Sequence, residues 1–198
     1  MITDHAIDLI AERGLGGVNF VTLADRIGYS PQAIQKWVGT SVELMVVVTA
    51  TFGQRWQQWV TRRRYEQGTL GLLPANDEEG PWTRVLLALE EHGRAERQRP
   101  ELPLIFADLR ACERWVLTSV HPGLDDPERA GAVDRLLVVV DGLRAALSRP
   151  HEPLSPDGAR DILAAECRDR AGALAAWLSP RSCDVMGLDR LVGTNQPT

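Results

Sequence analysis

The sequence predicts an all-α protein: a small N-terminal bundle of three short helices, then one long helix leading into a larger helical body. Three observations predict it. Apolar residues recur every three or four positions through most segments. Capping residues and glycines punctuate the chain at helix-length intervals. No segment alternates apolar and polar residues as a half-buried strand does, and no repeat recurs at a solenoid period.

Residues 2–13 place Ile2, Ala6, Leu9 and Ile10 on one stripe, with Gly14 as the stop. Thr22 is expected to cap a short helix over 23–27 that ends at Gly28. Ser30 and Pro31 start the next helix, since serine can satisfy an orphan amide and proline fits the first helical position. It runs to Trp37 or Val38, and Gly39 closes it. Thr40 or Ser41 caps a fourth helix that continues through Val47, Phe52 and Trp56 to about residue 67. Residues 68–80, with glycine, proline and asparagine, read as a loop. Helices then follow over 81–97, with Val85, Leu86 and Leu89 inward, and over 101–119, carrying Leu104, Ile105, Phe106, Leu109, Trp115 and Val116. After a turn over 121–127, residues 128–148 form a strongly apolar helix with Val133, Leu136, Leu137, Val140, Leu143 and Leu147 on its stripe. A loop over 149–156 precedes the helix 157–178, and the tail from Ser179 is irregular with one short helical turn.

At 198 residues and 44% hydrophobic, the chain can bury a sizeable core. The longest candidate for a membrane span, 44–52, is far too short, so no membrane partner is expected. The N-terminus lacks a basic segment followed by an apolar run, which points to a cytoplasmic location. Cys112, Cys167 and Cys183 are odd in number and widely spaced, so reduced thiols are expected, with neither a zinc site nor a disulfide frame. The net charge of −5 is unevenly divided. Seven basic and five acidic side chains fall in residues 1–65, against fifteen and twenty-two in residues 66–198. A slightly basic head on an acidic body suits contact with nucleic acid, and it also suits an ordinary solvated surface.

The informative stretch is residues 22–37, Thr-Leu-Ala-Asp-Arg-Ile-Gly-Tyr-Ser-Pro-Gln-Ala-Ile-Gln-Lys-Trp. A helix-turn-helix needs a small residue where its helices approach and a tight turn between them; Ala24 and Gly28 supply these. Leu23, Ile27, Tyr29 and Ile34 have the spacing to fill the shared core. The second helix would enter the major groove with Gln32, Ala33, Gln35, Lys36 and Trp37 outward. Glutamine can pair with adenine through two hydrogen bonds, alanine can touch a thymine methyl, and lysine can reach a phosphate or guanine. Thr22 sits where a cap hydroxyl and nearby amides can meet the DNA backbone, and Ser30 is grouped with it at the start of the reading helix. Trp37 fits packing against the start of the fourth helix equally well.

The leading helix, Thr22, Leu23-Ala24, Ile27-Gly28-Tyr29-Ser30, Ile34 and Leu44 together resemble the N-terminal domain of TetR-family repressors, over roughly residues 2–52. The resemblance implies a helix-turn-helix DNA-binding domain over 1–45 and a ligand-binding and dimerisation domain over 46–198. It implies an all-helical homodimer whose two reading helices bind a palindromic double-stranded DNA operator. A small-molecule effector in the larger domain then releases them, by shifting the spacing of those helices through the long fourth helix. The sequence departs from the family at Gln35, Trp37, Val38 and Ser41, where tyrosine, histidine or tyrosine, phenylalanine and lysine are usual.

Trp56, Trp59, Trp82, Phe106 and Trp115 are candidates to line an effector cavity, with His92 and Arg110 as its polar groups; the alternative for each aromatic is plain core. Arg62, Arg63 and Arg64 either steer toward phosphate or neutralise the end of the fourth helix. The helices over 128–148 and 157–178 are the candidate dimer interface, as two pairs in a four-helix bundle; the alternative buries Val138, Val139 and Val140 within one subunit. No nucleophile elbow, zinc-protease helix or phosphate-binding glycine loop is present, so neither an enzyme nor a cofactor is expected. The rival reading keeps the fold but replaces DNA binding by a ligand-binding or interaction role.

Overall fold

A computed structural model describes residues 1–96, 99–120, 130–149, 151 and 153–177, with side chains described to residue 168 and that of Ala130 left out. Among the described residues there are eight α-helices and no strand: α1 Ile2–Arg13, α2 Phe20–Ile27, α3 Pro31–Val38, α4 Ser41–Gln67, α5 Gly80–Ala95, α6 Glu101–Val120, α7 Ala130–Leu147 and α8 Pro156–Trp177. The expected turn at 121–127, Cys183 and the tail from Ser179 lie outside the described residues. So do Arg97, Glu128 and Leu178, the expected ends of three helices.

Helices α2 and α3 pack on each other, on α1 and on the first turns of α4, burying Leu9, Ile10, Leu23, Ala24, Ile34 and Leu44. The 27-residue α4 then runs along α6, placing Phe52, Trp56 and Val60 under Leu109, Val116 and Leu117. Helix α7 adds Val133, Leu136, Leu137, Val140 and Leu143 to the same core, matching the expected stripe, and α8 packs on α7 through Ala159 and Leu163. Helix α1 also packs directly against α5, so the small head touches the body at two places: along α4 and across the α1–α5 contact.

Two expectations fail for instructive reasons. Helix α2 begins at Phe20, and its cap is Asn19 rather than Thr22. The Asn19 side chain accepts from the amides of Val21 and Thr22, each at 3.0 Å, while the Thr22 hydroxyl accepts from the Asn19 amide at 3.1 Å. This is a reciprocal capping box with threonine in the third helical position. Replacing Asn19 with alanine is therefore expected to cost about 1 kcal/mol, as a small fall in the urea midpoint.

The segment 68–80 is not a solvated loop. Its first residues, Gly68–Leu72, make a 3₁₀ turn, and Thr69, Gly71, Leu72, Leu73 and Pro74 are buried. Buried carbonyls need donors, and arginines supply them. Arg63 donates to the Leu73 carbonyl at 2.9 Å, Arg144 to Leu72 at 2.9 and 3.2 Å, and Arg160 to Leu70 at 3.1 Å. Arg63, buried and paired with Glu79, thus serves the fold rather than DNA; its guanidinium also lies 4.3 Å from the Trp59 ring centre. Gly71 sits against the Arg63 backbone, where an added Cβ would come within 3.0 Å of its carbonyl carbon.

No helix among the described residues is long and apolar enough to cross a membrane. Cys112 and Cys167 are thiols.

Candidate functional site

Helices α2 and α3 meet through a turn that glycine makes possible. Gly28 has φ +81°, the left-handed region, and its amide donates to the Ala24 carbonyl at 2.8 Å. The Tyr29 amide donates to the same carbonyl at 3.1 Å, and Ser30 caps α3 by accepting from the Ala33 amide at 3.2 Å. Pro31 occupies the first helical position. With Ile34 fully buried, the rest of α3 faces out: Gln32, Gln35, Lys36 and Trp37 are exposed, and Ala33 is half-buried.

Tyr29 is not core. It is 48% exposed and meets Trp37, 53% exposed, edge to face with ring centres 4.9 Å apart. The pair forms an aromatic corner on the open side of α3. The fourth helix is capped by Thr40, not Ser41: Thr40 accepts from the Glu43 amide at 3.2 Å, and Glu43 accepts from the Thr40 amide at 2.7 Å. Those contacts from Thr40 hold the Glu43 carboxyl below the usual range. Ser41 is exposed in the first turn, and its hydroxyl takes no part in the cap. The Thr22 hydroxyl is engaged inward, donating to the Gly17 carbonyl at 2.7 Å.

Two basic residues of the head are tied down, Arg26 to Glu12 by two bonds of 2.7 and 2.6 Å and Arg55 to Asp4. Lys36 remains as the cation on the outer face of α3. The head therefore presents two glutamine amides and an ammonium group on the exposed side of α3, next to the Tyr29–Trp37 pair, while Arg26 and Arg55 are held in ion pairs.

A second site lies between α5 and α6. Glu90, Gly93, Arg94, Pro103, Phe106 and Arg110 line a cavity of about 440 Å³. Gly93 makes room for the Phe106 ring, which an added Cβ would strike. Beside the cavity lies an ionic network that runs from buried Glu113 and Arg144 out to half-exposed Arg110 and Asp141. Arg110 pairs with Asp141 through two bonds of 3.2 and 2.7 Å and with Glu113 at 3.2 Å. Arg144, 1% exposed, lies 2.8 Å from the other oxygen of Glu113 and 3.6 Å from Asp141. The Trp56 indole donates to Glu113 at 3.1 Å, and the Arg144 guanidinium lies over that indole, 4.9 Å from the ring centre.

Of the seven residues expected to form a ligand site, Phe106 and Arg110 line this cavity. Trp56, Trp59 and Trp82 instead join Phe52 in a core row, with ring centres 4.9 to 5.9 Å apart along it. Trp115 is exposed, its ring covered on one side by the Arg64 guanidinium at 4.1 Å. His92 is half-buried on α5 and is not among the residues of this wall. Sequence reasoning missed Glu90. The signal was present: Leu86, Leu89, Glu90 and Gly93 share one helical face, so a carboxylate stands in an apolar stripe.

No protein-family model matches the chain, and a search of curated proteins finds no match. Solved structures do match. A transcriptional regulator from Rhodococcus sp. Rha1 superposes with a TM-score of 0.71 at 22% identity, covering 83% of this chain and 91% of its own. A protein from Saccharomonospora viridis assigned as a transcriptional regulator, solved in complex with choline, gives 0.69 at 17% identity, covering 82% and 91%. A protein from Rhodococcus sp. assigned to the TetR family gives 0.63 at 16% identity, covering 83% and 94%. The architecture here is thus one shared with transcriptional regulators over most of their length.

Proposed function

We propose that this chain, which has the all-helical fold of TetR-family transcriptional regulators, is a cytoplasmic repressor that binds an operator as a homodimer and is released by a small molecule. One observation carries the reading: a capped helix-turn-helix holds α3 with Gln32, Gln35, Lys36 and Trp37 exposed along its outer face. That row suits a major groove, where glutamine amides read base edges and Lys36 meets phosphate or guanine. Thr22, Ser30, Ala33 and Ser41 flank it; Ser30 and Ser41 belong to helix starts whose amides can face the DNA backbone.

Two copies would associate through α7 and α8, where Val138 is 69% and Ile162 48% exposed. A two-fold pairing places two α3 helices on one face, which explains why a palindromic operator fits. The α5–α6 cavity is the effector site, and the choline carried by the Saccharomonospora viridis protein supports a small-molecule occupant. Helix α5 forms part of the cavity wall and packs directly on α1 in the head. Occupancy that moves α5 therefore changes the seat of α1, while α6 acts on α4. The effector must favour the arrangement in which the two α3 helices no longer match the half-site spacing.

A gel-shift titration with DNA upstream of the protein's own gene tests this. A sequence-selective shift that weakens steeply with added salt is the expected result. No selective shift there or in an unbiased genomic selection would remove DNA binding and leave a ligand-binding protein on the same fold.

A further inference from the structure

We propose that the α5–α6 cavity takes an organic cation, an ammonium or comparable centre carried on an apolar body, with Glu90 as its counter-charge and the Phe106 ring as its aromatic wall. The inference rests on reading this cavity as the effector site.

Charge balance around the cavity points to it. Below the wall, Arg110 and Arg144 are matched by Glu113 and Asp141, and each of these four groups has an ionic partner within 3.2 Å. Glu90 makes a fifth charge. It is half-buried and lines the cavity, yet among the described residues it makes no hydrogen bond and no ion pair. A half-buried carboxylate without a partner is costly, and the group has two remedies, a proton or a cation. Its surroundings favour the first remedy in direction. Burial pushes the Glu90 carboxyl up, and Asp141 and Glu113 push it the same way, against Arg110 and Arg144.

A cation from outside is the second remedy. Arg94, four residues on along α5, is exposed at the rim and does not close on Glu90. The remaining wall is Gly93, Pro103 and Phe106, which gives an apolar body something to pack on and sets an aromatic ring within reach of an ammonium group. An anion would find Arg110 already held by Asp141 and Glu113, would meet Arg94 only at the exposed rim, and would face the Glu90 carboxyl itself.

The test is direct calorimetric binding to the full chain, without DNA. The probes are phenyltrimethylammonium, its neutral carbon isostere tert-butylbenzene, and phenylacetate. The cation is expected to bind about tenfold or more tighter than the isostere. Glu90→Gln should erase that preference while leaving the isostere's affinity unchanged. The same variant should melt no lower than the parent, because burial already disfavours the charged carboxyl. Raising the pH through and above the ordinary carboxylate range should tighten cation binding as Glu90 loses its proton, and the variant should show no such slope. Phe106→Ala should weaken both the cation and the isostere.

Equal binding of cation and isostere, or a preference for phenylacetate, overturns the cation assignment and leaves the cavity a ligand site. Binding of none of the three overturns the assignment and the effector-site reading with it. Binding that survives Glu90→Gln with its preference and pH slope intact overturns the role of Glu90.

Discussion

Replacing Arg144 with alanine is expected to remove about 3–5 kcal/mol of stability, a large share of the total for a chain of this size. The side chain is 1% exposed and does three things at once. It neutralises Glu113 at 2.8 Å, donates twice to the Leu72 carbonyl, and covers the face of Trp56. Alanine leaves Glu113 buried against the half-exposed Arg110 and the Trp56 indole, and it leaves the Leu72 carbonyl without its two guanidinium donors. Each deficit is a desolvation cost that water cannot refund in a closed core. The buried 3₁₀ turn over 68–72 would loosen first, since one of the arginines that hold its carbonyls is gone. At about 2–4 °C per kcal/mol for this length, the melting temperature should fall by roughly 6–20 °C at fixed protein concentration.

The double variant Arg144→Met with Glu113→Leu discriminates the cause. Removing both charges removes the unpaired carboxylate, so the double variant is expected to be more stable than Arg144→Ala alone. A single variant that loses less than about 1 kcal/mol in urea unfolding would show that the network contributes little.

That network marks the border of what the sequence disclosed. The helices could be read because their signals are local: Ser30-Pro31, Gly28 and Gly39 fix the ends of α3 within a residue of where they fall. The α7 stripe could be read because burial there follows helical period. The 68–80 segment could not, because its glycines and asparagine speak for a loop while its burial depends on Arg63, Arg144 and Arg160. Two of those lie more than seventy residues away in sequence. Thr22 was misplaced for a smaller reason, since threonine fits a cap as well as the third position of a capping box. The aromatic residues drew attention to Trp56 and Trp59, whereas the cavity is bounded by one aromatic and an inconspicuous glutamate. Periodicity tells which face is inward; it does not tell where inward-facing residues fail to meet.

Gln32→Ala and Lys36→Ala should separate base reading from backbone attraction, and both effects should count twice. A glutamine that bonds an adenine through two hydrogen bonds is worth about 1–3 kcal/mol of discrimination, so its loss from both half-sites of a dimer, about 2–6 kcal/mol in all, lowers operator affinity by about thirtyfold or more. Gln32 stands in the first turn of α3, exposed on the outer row, where a groove-bound helix brings its N-terminal residues nearest the base edges. Its variant should lose preference for the operator over random DNA while keeping the salt dependence. Lys36 lies in the last turn and carries the charge of α3. Its variant should weaken operator and random DNA alike and reduce the slope of log affinity against log salt by about two, one phosphate contact for each subunit. Arg26 and Arg55, held by Glu12 and Asp4, provide the control: substituting Arg26 should leave that slope within about half a unit of the parent. A slope reduced by about one at Lys36 would mean that a single Lys36 of the dimer meets phosphate, and an unchanged slope would mean that Lys36 neutralises none.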